Sequence, residues 1–237
     1  PAKNRLADFP HYLMHRAEQL DNLYIFKNTE GTPENIRKFH PNIIVSSTGS
    51  APLLPPIAGL KDRIDNENHN IYSILGMISH INDFPKDLEG KKVVVVGGGA
   101  VGLDVVEFFA DRNADISIVE MMDQIGRDLD PVSKNDTKTM MKKHNVHQLT
   151  KTALLEVKDS SFLVRGDGEP YELPFEYGFV CLGMRAQGQL YQNLTEEFSS
   201  EDVEIMNIGD SQRARRIIDG TQEGRNILTI LEQKGYL

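Results

Sequence analysis

A run of four valines, residues 93–96, leads directly into a cluster of glycines, and this junction limits the possible folds more than any other stretch. The run is too short for a helix and fits a strand buried on both faces. Gly97, Gly99 and Gly102 then form a G-x-G-x-x-G pattern where that strand must turn into a helix. Such glycines permit a tight turn, close approach of a pyrophosphate to the backbone, and close packing of helix on strand. The junction therefore predicts a Rossmann-type βα unit.

A second short apolar run, residues 116–119, ends in Glu120, 23 positions after Gly97. A carboxylate at this place in a Rossmann unit accepts hydrogen bonds from an adenosine ribose. It would repel a 2′-phosphate, and Met121 and Met122 offer no arginine to hold one, so the sequence favours NAD over NADP. The alternative is a glycine-rich turn that serves packing alone. The predicted NAD contacts in this unit are Gly97, Gly98, Gly99, Ala100, Val101, Gly102 and Glu120.

Composition excludes several other classes of protein. The 237 residues carry a formal net charge of −9 with no basic stripe, which disfavours nucleic acid as a partner. No run of eighteen apolar residues exists, so the sequence predicts no membrane span. Cys181 is the single cysteine, which fits a reducing compartment, and we expect a cytoplasmic protein. One cysteine cannot form a redox dithiol, and its apolar neighbours predict a core position.

Two further strands are predicted to end in small residues. Residues 43–47 run into Thr48 and Gly49, as expected where a backbone approaches a ligand closely. Residues 203–208 run into Gly209 and Asp210, at the edge where open parallel sheets bind ligands. The alternative role for Asp210 is that of an N-cap for the helix that follows.

Periodicity predicts the remaining elements. It indicates helices over 6–20, 32–39, 131–144 and 212–234, a short strand at 23–26, and a meander of strands between 146 and 182. The last helix is predicted to direct five apolar residues inward. They are Ile217, Ile218, Ile227, Leu228 and Leu231.

In this order, the parts resemble the flavoprotein reductases that carry two dinucleotide-binding domains. Within that superfamily the chain is similar to the NADH:flavin oxidoreductases related to 2-enoate reductase, 2,4-dienoyl-CoA reductase and old yellow enzyme. The motifs that carry the resemblance are Ser47-Thr48-Gly49-Ser50, Val93 to Gly102, Val119-Glu120-Met121, Gln124 to Asp128, Leu182-Gly183-Met184-Arg185, Ile208-Gly209-Asp210 and Arg216-Ile217-Ile218-Asp219 with Glu223-Gly224.

The resemblance implies functions for these positions. Gly183 would line the nicotinamide half of NADH, and Thr48, Gly49, Gly209 and Asp210 would face FAD, with Asp210 accepting from a ribityl hydroxyl. Hydride would pass from the nicotinamide to the flavin, and onward through an iron-sulfur cluster to FMN in an N-terminal barrel domain that reduces an activated C=C bond. Asp104 stands where the group commonly has glutamate. No side chain is assigned a catalytic or metal-binding role.

The resemblance also implies a domain plan. We expect an α/β fold in which a Rossmann-like NAD-binding domain, residues 61–186 with a parallel sheet and a β-meander, is inserted in a truncated FAD-binding α/β domain made of residues 1–60 and 187–237. Such a domain normally opens with its own glycine motif, and none precedes Leu6. We therefore expect a fragment of a longer flavoenzyme with an incomplete FAD site that binds flavin weakly or not at all. The alternative is a non-catalytic NAD-binding or regulatory module.

Overall fold

The structure, a computed structural model, describes residues 4–236. The chain divides into two compact units. The smaller comprises the chain up to Thr48 together with Gly188–Ile208, and the larger comprises Gly49–Gln187 with the chain from Gly209 onward. Which cofactor each part binds stays a prediction.

Eight α-helices and twelve strands are formed within the described residues. The helices are α1 (Asp8–Ala17), α2 (Pro33–Arg37), α3 (Leu60–Arg63), α4 (Ile74–Ser79), α5 (Ala100–Ala110), α6 (Pro131–Lys143), α7 (Gln189–Glu197) and α8 (Ile217–Lys234). The strands are β1 (Ile43–Ser46), β2 (Ser50–Pro52), β3 (Ile71–Tyr72), β4 (Lys92–Val96), β5 (Asp115–Val119), β6 (His147–Leu149), β7 (Ala153–Val157), β8 (Ser161–Arg165), β9 (Tyr171–Pro174), β10 (Tyr177–Val180), β11 (Met184–Ala186) and β12 (Glu204–Asn207). Short 3-10 helices cover Asn4–Ala7 and Gly209–Ser211.

The smaller unit is built on β1 and β12, which pair in parallel. Its buried core consists of Ile44, Leu194 and Phe198. Arg37, at the end of α2, forms ion pairs with Glu197 and Glu201 and lies over the Phe198 ring. Hydrogen bonds to the two carboxylates raise the pKa of Arg37. These contacts of Arg37 connect the end of α2 to the end of α7.

The larger unit contains a five-stranded sheet in the order β3-β10-β4-β5-β6, and every pair in it is parallel. A three-stranded antiparallel meander, β7-β8-β9, and a two-stranded antiparallel ribbon, β2-β11, accompany it. The predicted α/β class, parallel sheet and meander are confirmed. Because all five strands run the same way, their carboxyl ends meet at one edge.

The valine run behaves as predicted. Val93 and Val95 belong to one buried cluster with Phe109 and Phe179, whereas Val94 and Val96 belong to a second cluster with Phe162. Successive side chains of a strand point to opposite faces, so β4 is covered on both sides. This double burial fixes the position of the glycine turn at its end.

Two predictions for individual elements are wrong. Residues 23–26 form no strand, and their side chains are exposed, because an apolar tetrapeptide becomes a strand only where a partner pairs with its backbone. The last helix begins at Ile217, not Gln212. Its Ile217, Ile218 and Leu228 are 69%, 54% and 65% exposed, and of the five apolar residues Leu231 alone is buried. Helical spacing identifies an apolar stripe but not what covers it.

Candidate dinucleotide site

The glycine turn between β4 and α5 contains glycines of two kinds. Gly97 has a φ of +108°, and a Cβ added there would lie 2.1 Å from the Cys181 carbonyl oxygen. A Cβ added at Gly102 would lie 1.9 Å from the Gly97 carbonyl oxygen. Packing of the turn against its neighbours therefore explains these two residues.

Packing does not explain Gly99. Its φ of −78° suits any residue, and a Cβ added there would meet nothing within 4 Å. It is exposed and is the N-cap of α5, where no side chain caps the helix. The first backbone amides of a helix have no intrahelical acceptor, and the helix dipole favours an anion there. The space at Gly99 is the cradle in which a diphosphate would approach the backbone.

Glu120 lies at the same edge and points to the turn. Its Oε2 accepts from the Gly98 amide at 2.7 Å, and its Oε1 accepts from the Met122 amide at 2.7 Å. The backbone of Glu120 is fixed by bonds to Leu149 and Thr152. The carboxylate is half-buried, and each oxygen retains a lone pair for a further donor.

The loop after Glu120 folds back over the glycine turn. The Gly126 amide donates to the Gly98 carbonyl at 2.7 Å. Gly126 has a φ of +67°, and the side chains of Leu129 and Leu103 occupy the space around its Cβ position. These side chains also hold the loop in place. Neither contact was predicted from the sequence, because a glycine within a polar loop gives no signal of its partner.

Gly183 follows β10 and lies at the carboxyl edge beside β4. Cys181 donates its amide to the Val96 carbonyl at 2.7 Å, and the Gly183 carbonyl accepts from Leu53. Gly183 has a φ of +106°, and a Cβ there would meet nothing within 4 Å. Gly97, Glu120 and Gly183 are thus placed at the ends of three adjacent parallel strands.

Cys181 is buried, and burial is the main reason that the pKa of its thiol rises to about 12, with the Asp104 carboxylate adding to the effect. A pKa raised in the fold means that the protonated thiol suits the folded state. Its contribution to stability is complete below the thiol's unfolded value and is lost as pH rises toward 12. The predicted core position is confirmed.

This burial leads to a labelling prediction. At pH 8 we expect native Cys181 to react with a thiol-specific disulfide reagent about 1000-fold more slowly than in concentrated urea, because little thiolate forms. The chain has one cysteine, so the absorbance change reports this residue alone. Equal rates in the two conditions would contradict the buried position.

Three of the four predicted flavin ligands, Gly49, Gly209 and Asp210, lie elsewhere in the larger unit. Asp210 accepts from the Ser50 hydroxyl through Oδ2 at 3.1 Å and from the Arg215 amide through Oδ1 at 3.1 Å. Gly49 has a φ of +75° and open space at its Cβ position. The N-cap of α8 is Arg216, so the alternative of Asp210 as that cap is wrong. Thr48 ends the smaller unit, and its contact with FAD stays a prediction.

The two cofactors fit these residues to different degrees. The open cradle at Gly99, the uncapped helix and the aligned Glu120 carboxylate suit a nicotinamide dinucleotide. The Asp210 carboxylate accepts one bond on each oxygen and keeps lone pairs for further hydroxyl donors, and its contact with a flavin stays a prediction. Within residues 4–236 the G-x-G-x-x-G turn at 97–102 has no second copy that could hold the FAD diphosphate. No triad of potential metal ligands occurs among these residues, and none of their helices is long and apolar enough to cross a bilayer.

Sequence reasoning missed Arg215 and Glu223, which contact the Gly209–Asp210 turn. Glu223 accepts from the Gly209 amide at 2.6 Å and pairs with the Arg215 guanidinium at 2.5 Å. The Gly209 amide and the Arg215 guanidinium lower the pKa of Glu223. Glu223 belongs to one of the motifs that carry the resemblance, but that motif does not indicate a contact with Gly209, 14 positions earlier in the chain.

Known proteins resemble this chain over most of its length. It is 26% identical to a metal reductase of Desulforamulus reducens over 92% of the chain and 36% of that protein. It is 26% identical to an NADH oxidase of Thermoanaerobacter brockii over 81% of the chain and 28% of that protein. The chain thus spans about a third of the length of these relatives.

A solved structure of a 2-naphthoyl-CoA reductase superposes with a TM-score of 0.77 at 21% identity, covering 94% of this chain and 32% of that one. That likeness supports the α/β fold. The family profile described as pyridine nucleotide-disulphide oxidoreductase matches residues 16–206. The chain therefore belongs to the pyridine nucleotide-disulphide oxidoreductase family.

Proposed function

We propose that this chain is the NADH-accepting part of a flavin-dependent oxidoreductase of the NADH:flavin oxidoreductase type. The observation that carries the proposal is the open space at Gly99 beside a Glu120 carboxylate already aligned by the Gly98 amide. When bound, the nicotinamide dinucleotide supplies a hydride for a flavin. The protein's task is to hold and orient the nucleotide.

Each residue of the site has a proposed part in that task. The amides of Ala100, Val101 and Gly102 would donate to the diphosphate at the start of α5. The free lone pairs of Glu120 would accept from ribose hydroxyls, and its charge would disfavour a 2′-phosphate. Gly183, which has no Cβ, would leave room for the nicotinamide half.

We also propose which group accepts the hydride. FAD would take the hydride, with Gly49, Gly209 and Asp210 at its ribityl chain. The names of the relatives all describe redox enzymes, but they differ in the final electron acceptor. This difference supports the proposal that a part of the polypeptide outside this chain determines the final acceptor. We propose an N-terminal barrel domain with FMN and an iron-sulfur cluster for that part, and C=C reduction of the enoate or enoyl-CoA type, on the resemblance of the motifs.

The domain plan is proposed on the same basis. Residues 61–186 would form the NAD-binding domain, and residues 1–60 with 187–237 would belong to the FAD-binding domain. Residues 1–3 and 237 lie outside the described part of the chain. The single cysteine supports a reducing compartment such as the cytoplasm.

The NADH site is tested by Glu120→Gln. The wild-type chain is expected to bind NADH at least about 10-fold more tightly than NADPH, because Glu120 and a 2′-phosphate repel each other. Glu120→Gln is expected to weaken NADH binding about 10-fold and to reduce the preference. Nucleotide fluorescence during titration measures both constants.

Glu107→Gln is the matched control, because Glu107 lies in α5 and has no predicted contact with the nucleotide. Absence of NADH binding at millimolar concentration would overturn the proposal. The non-catalytic alternative is separated by adding FAD and ferricyanide. NADH-dependent reduction of the acceptor supports an oxidoreductase part, and uptake of both NADH and FAD without any reduction supports a regulatory module.

A further inference from the structure

The 3-10 turn Gly209–Ser211 is held from one side by a glutamate to which the sequence analysis gave no role. Glu223, in the second turn of α8, accepts from the Gly209 amide at 2.6 Å. Gly209 has a φ of +65°, and a Cβ there would already be 4.0 Å from the Cα of Gly220. Because a glycine in this region has wide backbone freedom, the bond to Glu223 helps to fix the start of the turn, together with the bonds that the Gly209 carbonyl accepts from the Gln212 and Arg213 amides.

The same glutamate reaches Asp210 through Arg215. The Arg215 guanidinium pairs with the second oxygen of Glu223 at 2.5 Å, while the Arg215 amide donates to Asp210 Oδ1 at 3.1 Å. The side chains of Arg215 and Glu223 are each 28% exposed, so water screens the pair less than it screens a surface pair. Arg215 thus connects the two carboxylates, with its side chain on one and its backbone on the other.

Asp210 is in this way aligned from both sides. Its Oδ2 accepts from the Ser50 hydroxyl on the strand next to Gly49, and its Oδ1 accepts from Arg215. A carboxylate with one donor on each oxygen keeps lone pairs for further donors in a fixed direction. Such prior alignment lowers the entropic cost of binding a hydroxyl group.

We propose that Glu223 and Arg215 are positioning residues that align Asp210 to accept from the ribityl hydroxyls of a flavin. The inference rests on the proposed function, in which Asp210 faces FAD. Neither residue touches the flavin in this proposal. They act by holding the Gly209–Asp210 turn in the form that binds.

Amide hydrogen exchange tests the network without any ligand. Glu223→Ala is expected to accelerate exchange at Gly209 and also at Arg215 by about 10-fold, since each loses a charge-supported contact. Glu223→Gln keeps an oxygen acceptor and is expected to recover at least half of the lost protection on a logarithmic scale. Glu232→Gln, on the same helix, is the control. Unchanged exchange at Arg215 in Glu223→Ala would overturn the link, and exchange at Val94 reports whether the sheet is still folded.

FAD fluorescence quenching tests the flavin role. If Glu223 acts through Asp210, Glu223→Ala and Asp210→Asn weaken FAD binding by similar factors and the double variant is no weaker than Asp210→Asn. Losses that multiply in the double variant would overturn the proposal. Because the site for the FAD diphosphate is incomplete, we expect the wild-type chain to bind FAD weakly, and uptake of no FAD at millimolar concentration would overturn the flavin role as well. NADH titration of the same samples separates that result from a failure of the nucleotide site.

Discussion

Gly99→Val is expected to reduce NADH affinity on the order of 100-fold while leaving the fold intact, because its side chain would fill the open space in which we propose that the diphosphate binds. The backbone of Gly99, with φ −78° and ψ −178°, is extended and suits valine. Nothing lies within 4 Å of the added Cβ, so no neighbour has to move. Loss of a glycine N-cap costs at most about 1 kcal/mol. NADH fluorescence titration and thermal unfolding, measured on the same sample, check the two parts.

The matched control is Gly168→Val in the turn between β8 and β9. Gly168 also has open space at its Cβ position and no positive φ, but it belongs to the hairpin between β8 and β9 and not to the G-x-G-x-x-G turn. We expect this variant to bind NADH as the wild type does. If Gly99→Val bound NADH normally, the turn would serve packing alone, and the alternative of a glycine-rich turn without a ligand would be correct.

The three glycines of the motif show which features of the site can be predicted from the sequence. Their spacing predicts the turn, and the strand of valines before them predicts its burial, because both follow from local geometry. Spacing also predicts that the third glycine serves the packing of helix on strand, which agrees with the closeness of Gly102 to the Gly97 carbonyl oxygen. It does not reveal that Gly97 is required by the Cys181 carbonyl oxygen, because Cys181 is far away in sequence.

The contacts around Asp210 define the limit of sequence reasoning more clearly. Ser50 and Asp210 are 160 positions apart, and the hydrogen bond between them exists because β2 and the Gly209–Ser211 turn lie in the same unit. The single sequence predicts the strand end and the acid, but it gives no measure of which distant hydroxyl, guanidinium or carboxylate will meet that acid. The contact between Glu223 and the Gly209 amide was missed for this reason, although Glu223 itself belongs to one of the motifs that carry the resemblance.

Gly102→Ala is expected to destabilise the larger unit by about 3 kcal/mol, which corresponds to a fall in midpoint temperature of about 10 °C. The new Cβ would lie 1.9 Å from the Gly97 carbonyl oxygen and 3.5 Å from Val95. The overlap is with backbone, not with the flexible end of a side chain, so relief requires α5 to move away from β4. Both elements are buried, and seven residues of α5 would lose packing if it moved.

Gly224→Ala is the control, and its expected effect on the free energy of unfolding has the opposite sign. Gly224 lies in α8 with open space at its Cβ position, so alanine there is expected to stabilise the helix by up to about 1 kcal/mol. Urea unfolding followed by circular dichroism measures both variants. A Gly102→Ala chain as stable as the wild type would mean that α5 does not pack on the turn as closely as these distances require.

The close approach of helix to strand is also what places the amides of α5 at the cradle, so the Gly102 variant should bind NADH weakly even where it remains folded.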